Sequence, residues 1–183
     1  LTTDCNDSGS AIARKYAALG GAGGILGAQT QGEHAVGDGR GRRARYAKGN
    51  IYWTSSTGAH EVHGGLLTAY DAAGGPTATI GYPTSDTRTS SNERWRYNNM
   101  ERGRLYYDRQ GTGQFWLANP IFARHEDLDG IYGQLAHPIS NPRRTQDGRR
   151  VMYQNFARGR MYVLGGQAVE IYNPIFARHE ALR

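Results

Sequence analysis

The chain has 183 residues, with 22 Lys and Arg against 16 Asp and Glu, which gives a formal net charge of +6. Its length suits one domain or one compact array of repeats. The single cysteine, Cys5, excludes an intrachain disulfide and a cysteine-based zinc cluster. No apolar run approaches the roughly 18 residues of a membrane span. The 26 glycines are scattered among aromatic residues, which favours a turn-rich globular protein over a disordered one.

Four short helices are predicted at nearly regular intervals along the chain. Apolar or aromatic residues at i, i+4 and i+7 mark each of them. Their first apolar residues are Ile12, Leu66, Ile121 and Ile175, which lie 54, 55 and 54 residues apart. Ser10 and Gly64 suit the starts of the first two helices, and an Asn-Pro pair precedes each of the last two.

A β-hairpin is predicted between successive helices, centred on Gly49, Gly103 and Gly159. Each glycine stands two residues before an apolar–aromatic run, which is typical of a hairpin loop with glycine in a left-handed conformation. A polar linker precedes each hairpin and an extended return strand follows it. The predicted fold is therefore α+β, with three tandem repeats of about 54 residues, each a short helix plus a β-hairpin. A fourth, C-terminal helix closes the predicted pseudo-symmetric ring or arc.

These elements divide the chain into an N-terminal tail (residues 1–9), three repeats (10–63, 64–118 and 119–172) and a capping helix (173–183). Together they are expected to form one domain, with the last helix covering the apolar face of the third hairpin. Cys5 lies in the polar tail, where we expect a free thiol or an intermolecular disulfide. A homodimer is a further expectation.

The repeats resemble a known family. The resemblance is carried by residues 15–21, 24–27, 50–53 and 57–64, and it extends over nearly the whole chain. These residues resemble the LGFP repeat, named after a Leu-Gly-Phe-Pro tetrapeptide. That tetrapeptide reads Leu26-Gly27-Ala28-Gln29, Ile80-Gly81-Tyr82-Pro83 and Leu135-Ala136-His137-Pro138 here. The third repeat departs most, with Ala136 in place of glycine and Val163 in place of tryptophan.

The resemblance implies a secreted, extracellular protein that is associated with the cell wall. LGFP repeats are usually found in secreted bacterial proteins, often appended to cell-wall enzymes such as mycolyltransferases and amidases. There they are thought to tether the protein to wall polysaccharide. The resemblance therefore implies a binding module whose partner is a glycan or cell-wall polysaccharide.

Candidate catalytic and metal sites have little support in the sequence. His60 and His63 are three residues apart in a predicted strand, so they point to opposite faces. A zinc protease motif needs two histidines four residues apart on a helix. The positions equivalent to His60 are predicted to be Phe115 and Ala168, which do not bind metal. No nucleophile elbow or paired-carboxylate signature occurs. We therefore expect a non-enzymatic protein without a metal or a cofactor.

Two other polar patterns have structural interpretations. His125 and His179 occupy the helix position that Tyr16 and Tyr70 hold in the first two repeats, so packing in the core is the favoured role. Arginine clusters at 40–45 and 143–150 could bind phosphate non-specifically. Because these arginines alternate with glycine in linkers and loops, a solvated surface is favoured. Nucleic acid is not the expected partner.

The aromatic residues of the hairpins are the best functional indication. Tyr and Trp combine an apolar ring with a polar tip, which suits stacking on sugars. The alternative is a packing role, because Trp53 shares strand parity with Ile51, and Tyr107 with Leu105. The predicted carbohydrate-binding residues are Tyr52, Trp53, His60, Tyr106, Tyr107 and Tyr162.

The sequence thus predicts a secreted carbohydrate-binding protein, either a lectin or a wall-binding module, with up to three related sites. The third site is expected to be the weakest, because Val163 offers no ring for stacking. The alternatives are a structural or protein-binding repeat scaffold and, third, a cell-wall hydrolase.

Overall fold

The computed structural model describes residues 9–111 and 113–173, and over these ranges the chain is mostly β-structure. Three helices span Ala11–Ala18 (α1), Gly65–Ala72 (α2) and Ile121–Asp127 (α3). Each is followed by one turn of 3-10 helix, at Gly21–Gly23, Gly75–Thr77 and Gly130–Tyr132.

Twelve strands in the described ranges form three antiparallel sheets, each a meander of four strands in chain order. Sheet 1 contains Gln29–Ala35 (β1), Gly41–Tyr46 (β2), Gly49–Thr54 (β3) and Gly58–His63 (β4). Sheet 2 contains Arg88–Thr89 (β5), Trp95–Met100 (β6), Gly103–Asp108 (β7) and Gln114–Ala118 (β8). Sheet 3 contains Arg143–Arg144 (β9), Met152–Phe156 (β10), Gly159–Leu164 (β11) and Gln167–Tyr172 (β12).

The predicted fold class, three helix-plus-hairpin repeats closed by a fourth helix, is therefore wrong. Each predicted hairpin gains a strand on both sides: part of the polar linker pairs with its first strand, and the return segment pairs with its second. The reason is that an isolated two-stranded hairpin leaves too many backbone groups unpaired to be stable in water. The predicted C-terminal helix lies outside the described residues.

The three hairpin glycines are required, but for a different reason from the predicted one. Gly49, Gly103 and Gly159 each open a strand, and none has a positive φ. A Cβ on Gly49 would overlap the carbonyl of Val62, and a Cβ on Gly103 would overlap that of Leu117. Close approach of the neighbouring strand, not a left-handed turn, therefore selects glycine at these positions.

The helices begin close to where the sequence predicts. Ser10 is the N-cap of α1, and its hydroxyl accepts a hydrogen bond of 3.0 Å from the backbone N–H of Ala13. Gly64 precedes α2 as predicted. For α3 the cap is Pro120, one residue later than Asn119.

Helices and sheets alternate, so α2 and α3 each pack between two sheets. On one face of sheet 1, Ile51 and Ala44 form a core with Ile12 of α1. On the opposite face, Tyr52 and Val62 form a second core with α2. The same alternation continues through sheet 2. Burial of each large apolar side chain contributes roughly 1.5–3 kcal/mol, so the cores that include α2 and α3 each tie two repeats together.

One hydrogen bond recurs between each helix and the loop that follows it. A side chain in the middle of the helix donates to the carbonyl of the second residue of the tetrapeptide segment, where the backbone has a positive φ. The three bonds are Tyr16 Oη to Gly27 O (2.8 Å), Tyr70 Oη to Gly81 O (2.7 Å) and His125 Nε2 to Ala136 O (2.8 Å). His125 is fully buried, which confirms its predicted packing role, whereas His179 lies outside the described residues.

Buried amides join consecutive repeats. In the first joint, Asn98 of sheet 2 donates to Glu61 O (2.9 Å) and Ser85 O (3.0 Å). In the second joint, Gln154 of sheet 3 donates to the equivalent carbonyls, Trp116 O (3.1 Å) and Ser140 O (2.8 Å). We call each pair of bonds an amide clamp. The equivalent residue in sheet 1, the first of the three described sheets, is Ala44.

None of the described helices is long and apolar enough to cross a membrane. Cys5 lies in the tail outside the described residues. The homodimer and the predicted repeat boundaries stay predictions.

Candidate functional site

A cleft of about 450 Å³ lies where sheet 2 meets α3 and the 3-10 turn after it. We call it the second-sheet cleft. Its lining combines hydroxyl groups, aromatic rings and an ion pair. The side chains that matter most below are Ser91, Tyr97, Arg104, Tyr106, Glu126 and Tyr132.

Arg104 is the centre of the cleft. Its guanidinium forms an ion pair with Glu126 of α3, with N–O distances of 2.8 and 2.9 Å. It also donates to Asn99 Oδ1 (2.8 Å) and to the hydroxyl of Tyr106 (3.1 Å). Its Cζ lies 5.1 Å from the ring centroid of Tyr97, a cation–π contact. These contacts fix one planar, charged group on the floor of the cleft.

The titration behaviour of the floor follows from burial and charge. Burial alone would lower the pKa of Arg104, but Tyr106 and Glu126 raise it, so the guanidinium stays charged. Burial raises the pKa of Tyr106 to about 12, and this hydroxyl stays neutral. The floor therefore presents the same charges throughout the physiological pH range.

Tyr132 forms one side of the cleft mouth. Its side chain is 59% exposed, which is unusual for a residue of this size in the described chain. Its hydroxyl lies 2.7 Å from Ser91 Oγ and accepts a 3.1 Å bond from the Ser91 backbone N–H. These bonds from Ser91 lower the pKa of Tyr132. They also hold an open aromatic ring in a fixed position beside the ion pair.

A second cleft of about 660 Å³ lies on the corresponding part of sheet 3. We call it the third-sheet cleft. Tyr153 and Arg160 take the places of Tyr97 and Arg104 in the strand register. Arg160 donates to Asn155 Oδ1 (2.6 Å) and Tyr162 Oη (3.0 Å), and its Cζ lies 4.5 Å from the ring centroid of Tyr153. The framework of the second-sheet cleft is thus repeated.

The predicted row of Tyr52, Tyr106 and Tyr162 is buried, with exposed fractions of 1%, 1% and 8%. Tyr52 packs edge-on to Tyr70, with ring centroids 5.1 Å apart, and its hydroxyl accepts a hydrogen bond from Asn50. Tyr106 reaches the floor of the second-sheet cleft. The row therefore has a packing role, and its middle member also contributes to a cleft.

Trp53 and Tyr107 lie on the opposite faces of their sheets and do not join this row. Both are half-buried, with Trp53 against the core of α1 and Tyr107 against the core of α2. Tyr107 packs so closely on Gly65 that a Cβ there would overlap its ring. The six predicted residues do not form one site, and their role in sugar binding stays a prediction.

His60 lies in the first joint, where its Nδ1 is 3.1 Å from Asp86 Oδ1 and its Nε2 is 2.9 Å from Thr57 O. The strand register pairs His60 with Tyr52, and it pairs the equivalent tyrosines with Phe115 and Val169. The predicted counterpart Ala168 is therefore off by one residue. Within the described ranges, no group of three or more His, Cys, Asp or Glu side chains could hold a metal ion.

The six predicted site residues do not include the arginine on the cleft floor or the tyrosine ring at the cleft mouth. A signal for the arginine is present, because Gly103-Arg104-Leu105-Tyr106 recurs as Gly159-Arg160-Met161-Tyr162. Tyr132 carries no such signal, since the same position in the second repeat is Thr77. Its importance follows from its exposure and from its bond to a loop 41 residues away.

Comparison with known protein families shows a match over part of the chain. Residues 26–77 match the family model of the LGFP repeat, which confirms the predicted resemblance over sheet 1 and α2. The LGFP repeat indicates a cell-wall-associated repeat protein. No curated protein matches the chain.

Proposed function

Because this chain carries an LGFP repeat, we propose that it is a secreted, non-enzymatic protein that binds cell-wall polysaccharide in the second-sheet cleft. A wall-associated protein needs a surface that holds wall polymer. The polymer offers sugar rings with apolar C–H faces and hydroxyl groups at their edges. A binding site therefore needs an accessible ring beside planar polar groups.

The observation that carries the proposal is the arrangement of Tyr132 beside the Arg104–Glu126 ion pair. The exposed ring can stack on a sugar face. The guanidinium and the carboxylate, both held by several bonds, can donate to and accept from sugar hydroxyls without reordering. Pre-organised polar groups lose little conformational entropy on binding. The cleft volume of about 450 Å³ lies within the range of small-ligand sites.

The same ion pair supports the absence of catalysis. A glycosidase needs one carboxyl group whose pKa is raised, so that it can protonate the leaving oxygen. Glu126 is instead engaged in an ion pair with the Arg104 guanidinium at 2.8 Å. A hydrolase is therefore the less favoured alternative. It is tested by incubating the full chain with wall fragments and measuring the release of reducing ends.

The experiment is a glycan array followed by calorimetric titration with the strongest neutral hit. Tyr132→Ala should weaken binding by up to about tenfold, since loss of a stacking contact costs roughly 0.5–1.5 kcal/mol. Ile139→Ala is the matched control, because Ile139 is 50% exposed and does not line the cleft. It should bind like the unaltered chain.

Absence of any glycan hit would reject the function and favour the protein-binding scaffold. Glycan binding that Tyr132→Ala leaves unchanged would reject the cleft as the site. The next substitutions would then be Trp53→Ala and Tyr107→Ala, checked for folding because both rings are half-buried.

A further inference from the structure

The second- and third-sheet clefts share a framework but differ in charge. In both, an arginine donates to an asparagine and a tyrosine hydroxyl and lies over a second tyrosine ring. The second-sheet cleft adds two carboxylates to its lining, Glu126 and Asp129. The described lining of the third-sheet cleft has a single carboxylate, Asp147, and two further arginines, Arg143 and Arg144.

One of the two further arginines, Arg144, is a change at the edge strand, whereas Arg143 takes the place of Arg88, which does not line the second-sheet cleft. Arg144 occupies the position of Thr89 in sheet 2. Its Nη1 donates to the carbonyl of Arg150 at 3.0 Å, which holds the guanidinium at the edge of the cleft. Arg143, its neighbour in β9, is also exposed. The single carboxylate, Asp147, already accepts from Thr145 Oγ1 (2.7 Å) and the Arg149 backbone N–H (3.1 Å).

We propose that the third-sheet cleft is a second glycan site, which binds an anionic group of the wall polymer through Arg143 and Arg144. The anion is a carboxylate of an acidic sugar or a phosphate ester. Guanidinium groups suit both, because their planar N–H groups match the oxygens of either anion. This proposal rests on the proposed function, since it takes the ligand to be a wall glycan. The Tyr153 ring gives the cleft a face on which the sugar stacks.

The two clefts then have complementary tasks. The second-sheet cleft takes a neutral stretch of the polymer, and the third-sheet cleft takes a charged one. Because both lie on one chain, binding at the first raises the effective concentration of the polymer at the second. A polymer with both features is therefore retained more strongly than either stretch alone.

The test uses the full chain and two matched probes, tetragalacturonate and its methyl ester, which share the same sugar chain but carry charged carboxylates in one case and uncharged methyl esters in the other. Isothermal titration at low salt should give at least tenfold tighter binding of the acid, and that preference should disappear in about 0.5 M salt. Arg144→Thr, which installs the residue of sheet 2, should weaken binding of the acid about threefold. The double variant Arg143→Gln/Arg144→Thr should weaken it about tenfold.

Arg149→Gln is the control variant, because Arg149 is an exposed arginine of the same loop that does not line the cleft. It should bind the acid like the unaltered chain. A glycerol-phosphate tetramer forms the second arm. Tighter binding of this probe than of tetragalacturonate assigns the site to phosphate esters, and the reverse assigns it to acidic sugars.

Three results would overturn the proposal. The first is equal binding of the acid and its methyl ester, and the second is an equal loss in Arg149→Gln and Arg144→Thr. The third is tighter binding of a single-stranded oligonucleotide than of either probe, which would assign the arginines to nucleic acid. Tyr132→Ala separates the two proposals, because it should weaken the neutral ligand and leave tetragalacturonate binding unchanged.

Discussion

The two joints between repeats have the same geometry but are held by different chemistry. The first contains several charged groups: Asp86 accepts from Lys15 (2.7 Å) and lies 3.1 Å from His60. In the second joint, the position of Asp86 is Asn141, whose Oδ1 accepts a 3.1 Å bond from the Trp116 N–H. The amide clamp is present in both joints and is the feature that they share. The charges around it set how the joint responds to salt and pH.

The largest effect is expected from breaking the clamp that both joints share. Asn98→Ala would leave two buried carbonyl groups without their donor. Each unsatisfied buried group costs about 1–3 kcal/mol, so we expect the free energy of unfolding to fall by about 2–6 kcal/mol. Urea unfolding followed by tryptophan fluorescence measures the change.

Gln154→Ala should cause a similar loss in the second joint, since its amide makes the same two bonds. Gln31→Ala is the control, because Gln31 is an exposed amide on the edge strand of sheet 1. A loss below about 0.5 kcal/mol in both clamp variants would show that surrounding apolar contacts, not the amides, join the repeats.

The second-largest expected effect is a pH dependence of stability that comes from His125 of α3. Burial lowers the pKa of His125, outweighing the bond to Ala136 and the nearby Glu126, while Arg104 lowers it further. The folded chain therefore keeps this histidine neutral while the unfolded chain takes up a proton below about pH 6.5. Stability is fully present above that pH and is lost as the pH falls toward the lowered value.

His125→Tyr should remove this dependence, because tyrosine holds the equivalent position in the first two repeats and makes the same bond. Between pH 7 and 5, the slope of unfolding free energy against pH should decrease by up to about 1.4 kcal/mol per pH unit. The partly buried His137, whose pKa burial also lowers, keeps a smaller dependence in both proteins. An unchanged slope in His125→Tyr would mean that this histidine is protonated in the folded chain.

The smallest expected effect is a salt-dependent contribution to stability from the charged groups of the first joint. Burial alone would raise the pKa of Asp86, but hydrogen bonds from Lys15 and His60 lower it. The carboxylate is 40% exposed, so solvent screens these pairs. Asp86→Asn, which copies the second joint, should cost less than about 1 kcal/mol at low salt and nothing measurable in about 1 M salt. A loss that salt leaves unchanged would indicate a packing defect.

Local patterns in the sequence predict the repeats well and the sheets poorly. Helical spacing and the Ser10 cap place α1 within one residue, because both are properties of neighbouring residues. The first strands of sheets 2 and 3 escape detection, because β5 and β9 have two residues each and pair through tertiary contacts. The cleft escapes for a similar reason. Arg104 and Glu126 are 22 residues apart, and only the packing of α3 on sheet 2 brings them together.

The three hairpin glycines recur as the sequence indicates, but the predicted reason for their recurrence is wrong. The recurrence of Gly49, Gly103 and Gly159 is visible in the sequence, and a turn is the usual reason for such a pattern. Steric contact with the next strand is the actual reason. That contact is between residues distant in sequence, which local turn rules do not describe.

The position of α2 between two sheets affects how repeats can be added to the array by duplication. The segment that matches the LGFP repeat begins at Leu26, after α1, and ends at Thr77, after α2. The segment therefore contains both sheet 1 and α2, the helix that packs on one face of this sheet. Within it, Tyr52 and Val62 of the sheet share a core with Leu66 and Tyr70 of the helix. A duplication that begins and ends at the bounds of this segment copies the complete sheet–helix interface together with the sheet and the helix. Each added copy arrives with a surface that already fits its neighbour.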